Sequence, residues 1–488
     1  MIPERLSTGV QGLDEILQGG VLANGTYLIR GGPGSGKTTL GWHFLTTDLT
    51  SESGRLFITL GESEAQLRRN GAQLGFDVSA IDILDLSPDS QIFSQDQTYD
   101  IFSPADIERQ PLIQRIVTTI EHLKPERIFV DSMTQFRYLT VDTYQFRKQV
   151  VAFLRLMSSH GATVFFTSEA SLDAPDEDLQ FISDGIITLY LSEQDRTISV
   201  TKLRGANFRS GQHAFRLTDQ GMQVFPRLLP DTGDMTTITP GIMSSGVPEI
   251  DELLAGGLEH GTVTIVTGPS GVGKSTLGMQ FVKEAAGRGV RSVVYVFEEA
   301  VETLLNRCEN INIPARAMVE RGTLSVIKIE PLTHSPDEFA NRVRQEVEQA
   351  GSRIVMLDSI AGYRLSFSDQ EMVRHTHSLC QYLRSQGVTM IITNEVEMIT
   401  GNFRATEAGI SYLADNIVFL RYLELSGELR RAIGVLKKRL SAFERTLREF
   451  QITRYGIKVG EPFTQLRGIL SGSPELVSSS PDDRKRPL

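Results

Sequence analysis

The residues STGVQGLDEILQGG, beginning at Ser7, return from Ser244 as SSGVPEIDELLAGG. Gly9 and Gly246, Asp14 and Asp251, Gly19 and Gly256, and Lys37 and Lys274 are each 237 residues apart. A register kept over several tens of residues marks one folding unit written twice, and this constrains every later reading of the chain. With 488 residues in all, each copy is long enough to bury a core of its own. Between the copies runs PDTGDMTTITPG (230–241), a polar Pro/Gly stretch that reads as a linker. One domain is therefore expected over about 1–232 and a second over about 241–470. Residues 471–488 end in SSSPDDRKRPL, lack apolar periodicity and read as a disordered tail.

Within each copy, short apolar runs alternate with longer helical patterns, as in a parallel sheet covered by helices. The expected strands are 26–30, 55–60, 127–130 and 163–167 in the first copy. In the second they are 262–267, 293–297, 354–357 and 389–393. Ligands on such sheets bind at the carboxyl ends of the strands, and the chemically loaded residues fall there. Gly31-Gly-Pro-Gly34-Ser-Gly36-Lys37-Thr38 and Gly268-Pro-Ser-Gly271-Val-Gly273-Lys274-Ser275 both fit G-x-x-x-x-G-K-[ST]. The glycines let backbone N–H groups turn inward around phosphates at a helix start, and each loop runs on into Thr39 or Thr276. Lys37 and Lys274 are expected at the β- and γ-phosphates, Thr38 and Ser275 on Mg²⁺. A lone Gly-rich motif can be a turn without a ligand; two in register, each after a strand and opening a helix, point to ATP.

Asp131 closes RIFVD and Asp358 closes IVMLD, where a carboxylate can hold the Mg²⁺ shell. Hydrolysis also needs a group to orient or deprotonate water. The run VVYVF leads into Glu298 and Glu299, whereas the same register in the first copy gives Gly61 and Glu62. One member of the acidic pair is missing there. The first site is thus expected to hold ATP with little turnover, and the second to hydrolyse it.

Composition excludes other classes. Hydrophobic residues at 40% and charged residues at 22% fit a globular chain without a membrane-spanning run. The start, MIPERLSTGVQGLDEIL, has no basic segment leading into an apolar core, so a cytoplasmic protein is expected. Cys308 and Cys380 form neither a metal nor a disulfide pattern, and His375 and His377, two apart, point to different sides of a helix. A net charge of −11 argues against a nucleic-acid partner. Where a RecA-type DNA protein would carry basic loops after the fourth strand, 169–178 is strongly acidic and 395–404 offers one arginine against two acids.

The G-V-x-x-[LI]-D-E-[IL]-L-x-G-G entry, both phosphate loops, the F-E-E step and the two D-S strand ends, V-D-S and L-D-S, resemble the family of the circadian-clock ATPase KaiC over nearly the whole chain. Lys202-Leu-Arg204-Gly205, Lys437-Lys-Arg439 and the segment Leu470–Pro474 also match it, while Leu440, Phe208 and Phe443 depart from its pattern. The resemblance implies two tandem RecA-like α/β domains and two stacked six-membered rings with ATP between neighbouring subunits. It implies that Lys202, Arg204, Lys437 and Arg439 reach across the subunit boundary as arginine-finger groups. It further implies clock-type signalling partners. Ser411 is implied as a phosphoacceptor with Glu298 as base, beside Tyr412 in place of the family's threonine and Thr406 as an alternative acceptor. A DNA recombinase or helicase, and a nucleotide-gated scaffold with little kinase activity, are the competing readings.

Overall fold

In a computed structural model, the described residues are 4–48, 54–87, 105–138, 143–169, 176–192, 195–228, 241–366, 369–396, 411–425, 427–464, 466–467 and 475–476. Chain contacts divide it into two units, Met1–Arg227 and Leu228–Leu488. Each unit is built on a nine-stranded sheet.

The first unit contains β1 (Thr26–Arg30), α1 (Lys37–Thr46), β2 (Arg55–Thr59), α2 (Glu64–Gln73), β3 (Asp82–Asp85), β4 (Arg127–Asp131), β5 (Thr163–Ser168), β6 (Gly185–Leu191), β7 (Arg196–Leu203), β8 (His213–Thr218) and β9 (Gly221–Phe225). Its strand order is β9-β8-β7-β6-β1-β5-β4-β2-β3. The run from β6 to β3 is parallel, and β7 to β9 add an antiparallel extension.

The second unit repeats this plan with β10 (Val263–Gly268), α3 (Lys274–Gly287), β11 (Ser292–Val296), α4 (Val301–Glu309), β12 (Leu324–Lys328), β13 (Ile354–Asp358), α5 (Ile360–Arg364), α6 (Asp369–Ser385), β14 (Thr389–Glu395), β15 (Asn416–Leu425), β16 (Glu428–Lys438), β17 (Arg448–Thr453) and β18 (Gly456–Pro462). The order β18-β17-β16-β15-β10-β14-β13-β11-β12 matches the first unit strand for strand.

Apolar residues on consecutive strand positions make this possible, because both faces of a covered parallel sheet are buried. Phe57, Phe129 and Phe165 join one core with Trp42 and Phe44 of α1. Leu56, Ile58, Ile128, Val130, Val164 and Phe166 join the core on the other face. In the second unit Val294, Met356 and Ile391 face one core, while Val293, Tyr295, Val355, Leu357, Met390 and Ile392 face the other. Phe44 stacks on Phe165 with ring centroids 3.9 Å apart and fixes α1 against the sheet.

The repeated entry motif also has a local cause. Asp14 accepts hydrogen bonds from Ser7 Oγ (2.6 Å), Thr8 N (2.8 Å) and Thr8 Oγ1 (2.7 Å). Asp251 accepts from Ser244 Oγ (2.5 Å) and Ser245 N (2.7 Å). One carboxylate thereby ties the turn that leads into each domain.

The strands largely coincide with the expected runs. The second acidic turn differs, because β11 ends at Val296 and Glu298 and Glu299 lie beyond it. Leu228, placed by sequence in the first domain, packs into the core of the second unit. Within the expected tail, Glu475–Leu476 pairs antiparallel with Leu466–Arg467. Thr406, nearly all of the linker 230–241 and most of 169–178 and 395–404 lie outside the described residues. Among the described residues no helix is long and apolar enough to cross a membrane, and no group of His, Cys, Asp and Glu could by itself hold a metal.

Candidate nucleotide sites

Both phosphate loops connect the central strand of a sheet to the helix that covers it, β1 to α1 and β10 to α3. Gly34 and Gly36 have φ of 70° and 100°; Gly271 and Gly273 have 72° and 115°. These left-handed values are open to glycine and costly for other residues, and they turn the loop back around a central space. The buried Lys37 Nζ donates to Gly31 O (2.8 Å) and Gly32 O (3.0 Å), while Lys274 Nζ donates to Pro269 O (2.9 Å). Burial lowers the pKa of both lysines, opposed at Lys37 by Asp131 and Glu169 and at Lys274 by Glu395, Asp358 and Glu298. Thr39 and Thr276 continue the loops into the first turns of their helices, and Thr276 is buried there.

Asp131 and Asp358 close the strands one place beyond β5 and β14. Thr38 Oγ1 donates to Asp131 (2.7 Å), and Ser275 Oγ donates to Asp358 (2.9 Å). A hydroxyl and a carboxylate in contact beside a phosphate loop form a hard-oxygen set that fits Mg²⁺, which takes few protein ligands and completes its shell with phosphate and water. Thr167 and Thr393 each donate to the same carboxylate at 2.6 Å and fix its orientation. Sequence reasoning missed these two threonines. Their signal was the paired T-[SN]-E at the ends of β5 and β14.

The acidic turns differ between the halves. Glu298 is exposed and accepts from Ser359 Oγ at 2.6 Å, the residue that follows Asp358. Glu299 turns toward α4 and pairs with Arg307 at 2.7 Å. Burial raises the pKa of Glu299, with Arg307 opposing and Asp358 and Glu298 adding to the rise. In the first half Glu62 meets Asn70 at 3.3 Å, and Gly61 faces open space.

Two further residues that the sequence reading did not single out stand beside the loops. Arg196 donates to Gly34 O at 2.8 Å. Its counterpart Arg431 lies over the ring of Tyr422, whose hydroxyl reaches Ser270 O at 3.5 Å. Each precedes the lysine of a K-x-R by six residues, which is the signal that could have found it.

A family model described as "ATPase: KaiC" matches residues 6–228 and again residues 243–463. The chain belongs to the KaiC ATPase family. The circadian clock oscillator protein KaiC of Prochlorococcus marinus (strain MIT 9313) is 27% identical over 498 residues, spanning 97% of this chain and 96% of that protein. The same-named protein of Acaryochloris marina (strain MBIC 11017) is 27% identical over 99% of this chain and 93% of its own length. That of Parathermosynechococcus lividus is 26% identical over 98% and 89%. The chain is thus a KaiC-type ATPase with tandem domains, a family that implies ATP binding.

The K-x-R pairs of this KaiC-type chain lie away from its own loops. β7 runs antiparallel to β6, so Ser199 is level with Thr188 and Arg30, while Lys202 is level with Ile186. Arg204 lies five residues past the level of Arg30, roughly 16 Å back along the sheet at about 3.3 Å per residue. Lys437 and Arg439 repeat this placement on β16.

Lys202 donates to Gln180 O (2.8 Å), and Arg204 to Phe181 O (3.2 Å) and Asp184 (3.5 Å). Lys437 donates to Ser411 O (3.1 Å) and Ala414 O (2.7 Å). Arg439 donates to Tyr412 O (3.0 Å) and pairs with Asp415 at 3.6 Å. Ser411 and Tyr412 therefore occupy the place of Gln180 and Phe181, directly behind the basic pair. Phe208 and Phe443, which depart from the family pattern, pack against the cores.

Proposed function

We propose that this chain forms a homo-hexameric double ring in which Lys202 and Arg204, or Lys437 and Arg439, of one subunit complete the ATP site of the next. The observation that carries the reading is the placement of both K-x-R pairs at the far end of the sheet from their own phosphate loop. A cation there is out of reach of its own γ-phosphate and available to a neighbour's. Ser275 and Asp358, or Thr38 and Asp131, would hold Mg²⁺, which when bound would supply neutralisation of phosphate charge.

In the second site Lys274 meets the phosphates, Glu298 takes the proton of the attacking water, and Arg439 of the adjoining subunit stabilises the developing charge. The first site, with Gly61 where Glu298 stands, holds ATP and maintains the ring. That missing carboxylate supports a scaffold role for the first domain. Ser411, which has Gln180 as its counterpart, is the phosphoacceptor. It sits beside the basic pair and so receives phosphate from ATP bound to the neighbour. Tyr412 and Thr406 are secondary acceptors. The ring acts in the cytoplasm as a switch or timer, read by clock-type signalling proteins.

Two inactive chains test the trans arrangement. Arg439→Ala keeps its phosphate loop, and Lys274→Ala keeps its basic pair. Mixed and reassembled, they are expected to regain phosphate release that neither has alone; no recovery would overturn the reading. With γ-labelled ATP, label on the chain is expected to disappear in Ser411→Ala and in Glu298→Gln. Label that persists in Ser411→Ala would remove that serine from the proposal.

A further inference from the structure

Besides Gly61 in place of Glu298, two substitutions distinguish the acidic turns, and these two compensate each other. In the first half Thr59, the last residue of β2, holds the turn by its hydroxyl. Thr59 Oγ1 donates to Glu62 O at 2.8 Å and accepts from Glu62 N at 3.2 Å. The counterpart of Thr59 is Val296, a buried residue with no hydroxyl to offer. Glu299, the counterpart of Glu62, is held instead by its side chain, through Arg307 on α4 at 2.7 Å. The counterpart of Arg307 is Asn70, which meets Glu62 at 3.3 Å without a charge.

We propose that Arg307 is a positioning residue of the second site: by anchoring Glu299 to α4 it fixes the turn that presents Glu298 to Ser359 and to the attacking water. This rests on the reading of Glu298 as the base of that site. Phe297 N donates to Asp358 O at 3.1 Å, and this is the last ladder bond before the turn. Beyond it Glu298 and Glu299 diverge, one to Ser359 and the other to Arg307. Asp358, Glu298 and Glu299 would otherwise repel one another at two neighbouring strand ends. A guanidinium that draws one of the three aside both spreads this charge and sets the direction of the other two. The raised pKa of Glu299, a product mainly of burial, marks a carboxylate that needs such a partner.

The test compares Arg307→Asn, the residue of the first half, with Arg307→Lys and with the double variant Val296→Thr/Arg307→Asn. Each is made in the full chain and again with Glu298→Gln, which reports any turnover left to the first site. Steady-state phosphate release is followed against Mg·ATP concentration, with ring size checked by size-exclusion chromatography. Arg307→Asn is expected to lower kcat roughly tenfold while KM stays within about twofold, since a small misplacement of the reacting groups falls on the chemical step. Arg307→Lys and the added Val296→Thr tether are each expected to recover most of it. With Glu298→Gln present, Arg307→Asn is expected to cost nothing more.

Wild-type kcat in Arg307→Asn, or a loss confined to KM, overturns the proposal. So does a loss that neither lysine nor the threonine tether recovers. A fully active Glu298→Gln would overturn the base assignment and the role of Arg307 with it. An inactive Glu298→Gln beside a fully active Arg307→Asn would overturn the role of Arg307 alone.

Discussion

The two nucleotide sites share a frame and differ in the parts that act on water. Loop backbone, buried lysine, hydroxyl–carboxylate pair and orienting threonine are the same at Lys37, Thr38, Asp131 and Thr167 as at Lys274, Ser275, Asp358 and Thr393. The acidic turn is not. Gly61, Thr59 and Asn70 in the first half stand against Glu298, Val296 and Arg307 in the second. On the proposed roles, groups that would grip a triphosphate are kept twice, and groups that would prepare a nucleophile are kept once. Binding and turnover could then be varied separately, because they would reside on different strand ends, β1 or β10 for the grip and the residues after β2 or β11 for the chemistry.

Removing the grip is the most severe way to break this contrast. Lys274→Ala is expected to abolish most phosphate release and leave rings intact, whereas Lys37→Ala is expected to abolish ring formation. Size-exclusion chromatography and a phosphate assay on both variants check this. Equal assembly defects, or turnover surviving in Lys274→Ala, would erase the contrast.

Next in size comes the acid itself. Glu298→Gln is expected to reduce turnover about 100-fold, within the range of general-base loss, and Glu62→Gln only about twofold. Gly61→Glu sharpens the comparison further. A Cβ at Gly61 would meet nothing within 4 Å, so the backbone there leaves room for a side chain to begin, and first-site turnover should rise. It is read as phosphate release in a Glu298→Gln background.

A smaller difference concerns acid stability. The His43 ring accepts from Met222 N at 2.7 Å, and burial pulls its pKa down to about 4, against a weaker opposing bond to Gly9. The counterpart in the second half is Gln280, which does not titrate and donates to Ser245 O at 2.8 Å. Unfolded His43 takes up a proton near its ordinary value of 6.5 while the folded ring refuses it. Stability of the first domain is therefore full above that value and falls as the pH drops toward 4, by roughly 3 kcal/mol. Calorimetric melts at pH 7 and pH 4.5 should show the first domain losing more than the second, and His43→Gln should narrow the gap.

Much of the frame was legible because it is local. A phosphate loop is a contiguous run with glycines forced by left-handed backbone, and Asp131 and Asp358 end apolar strands that announce themselves. Glu298 and Glu299 were legible as an acidic pair following a strand, whereas their divergence arises in the turn beyond β11. What sequence did not reveal are contacts between strands joined by long crossovers, such as Thr393 with Asp358 or Ser359 with Glu298. The register also shifts, since Lys37 to Asp131 is ten residues longer than Lys274 to Asp358. Partners beyond that point no longer align by simple counting. Arg307 was hidden for a different reason, because an arginine on an exposed helix looks like any other until its neighbour's burial is known.

β16 carries Arg431 beside its own chain's loop and Arg439 at its opposite end, and β7 does the same with Arg196 and Arg204. In the proposed closed circle of such chains, a copy that fails altogether does not fail in private. It spoils the pocket it owns and the pocket it serves next door. In a random mixture the share of sound pockets therefore falls as the square of the share of sound chains, so a minority of defective copies silences the population out of proportion to its number.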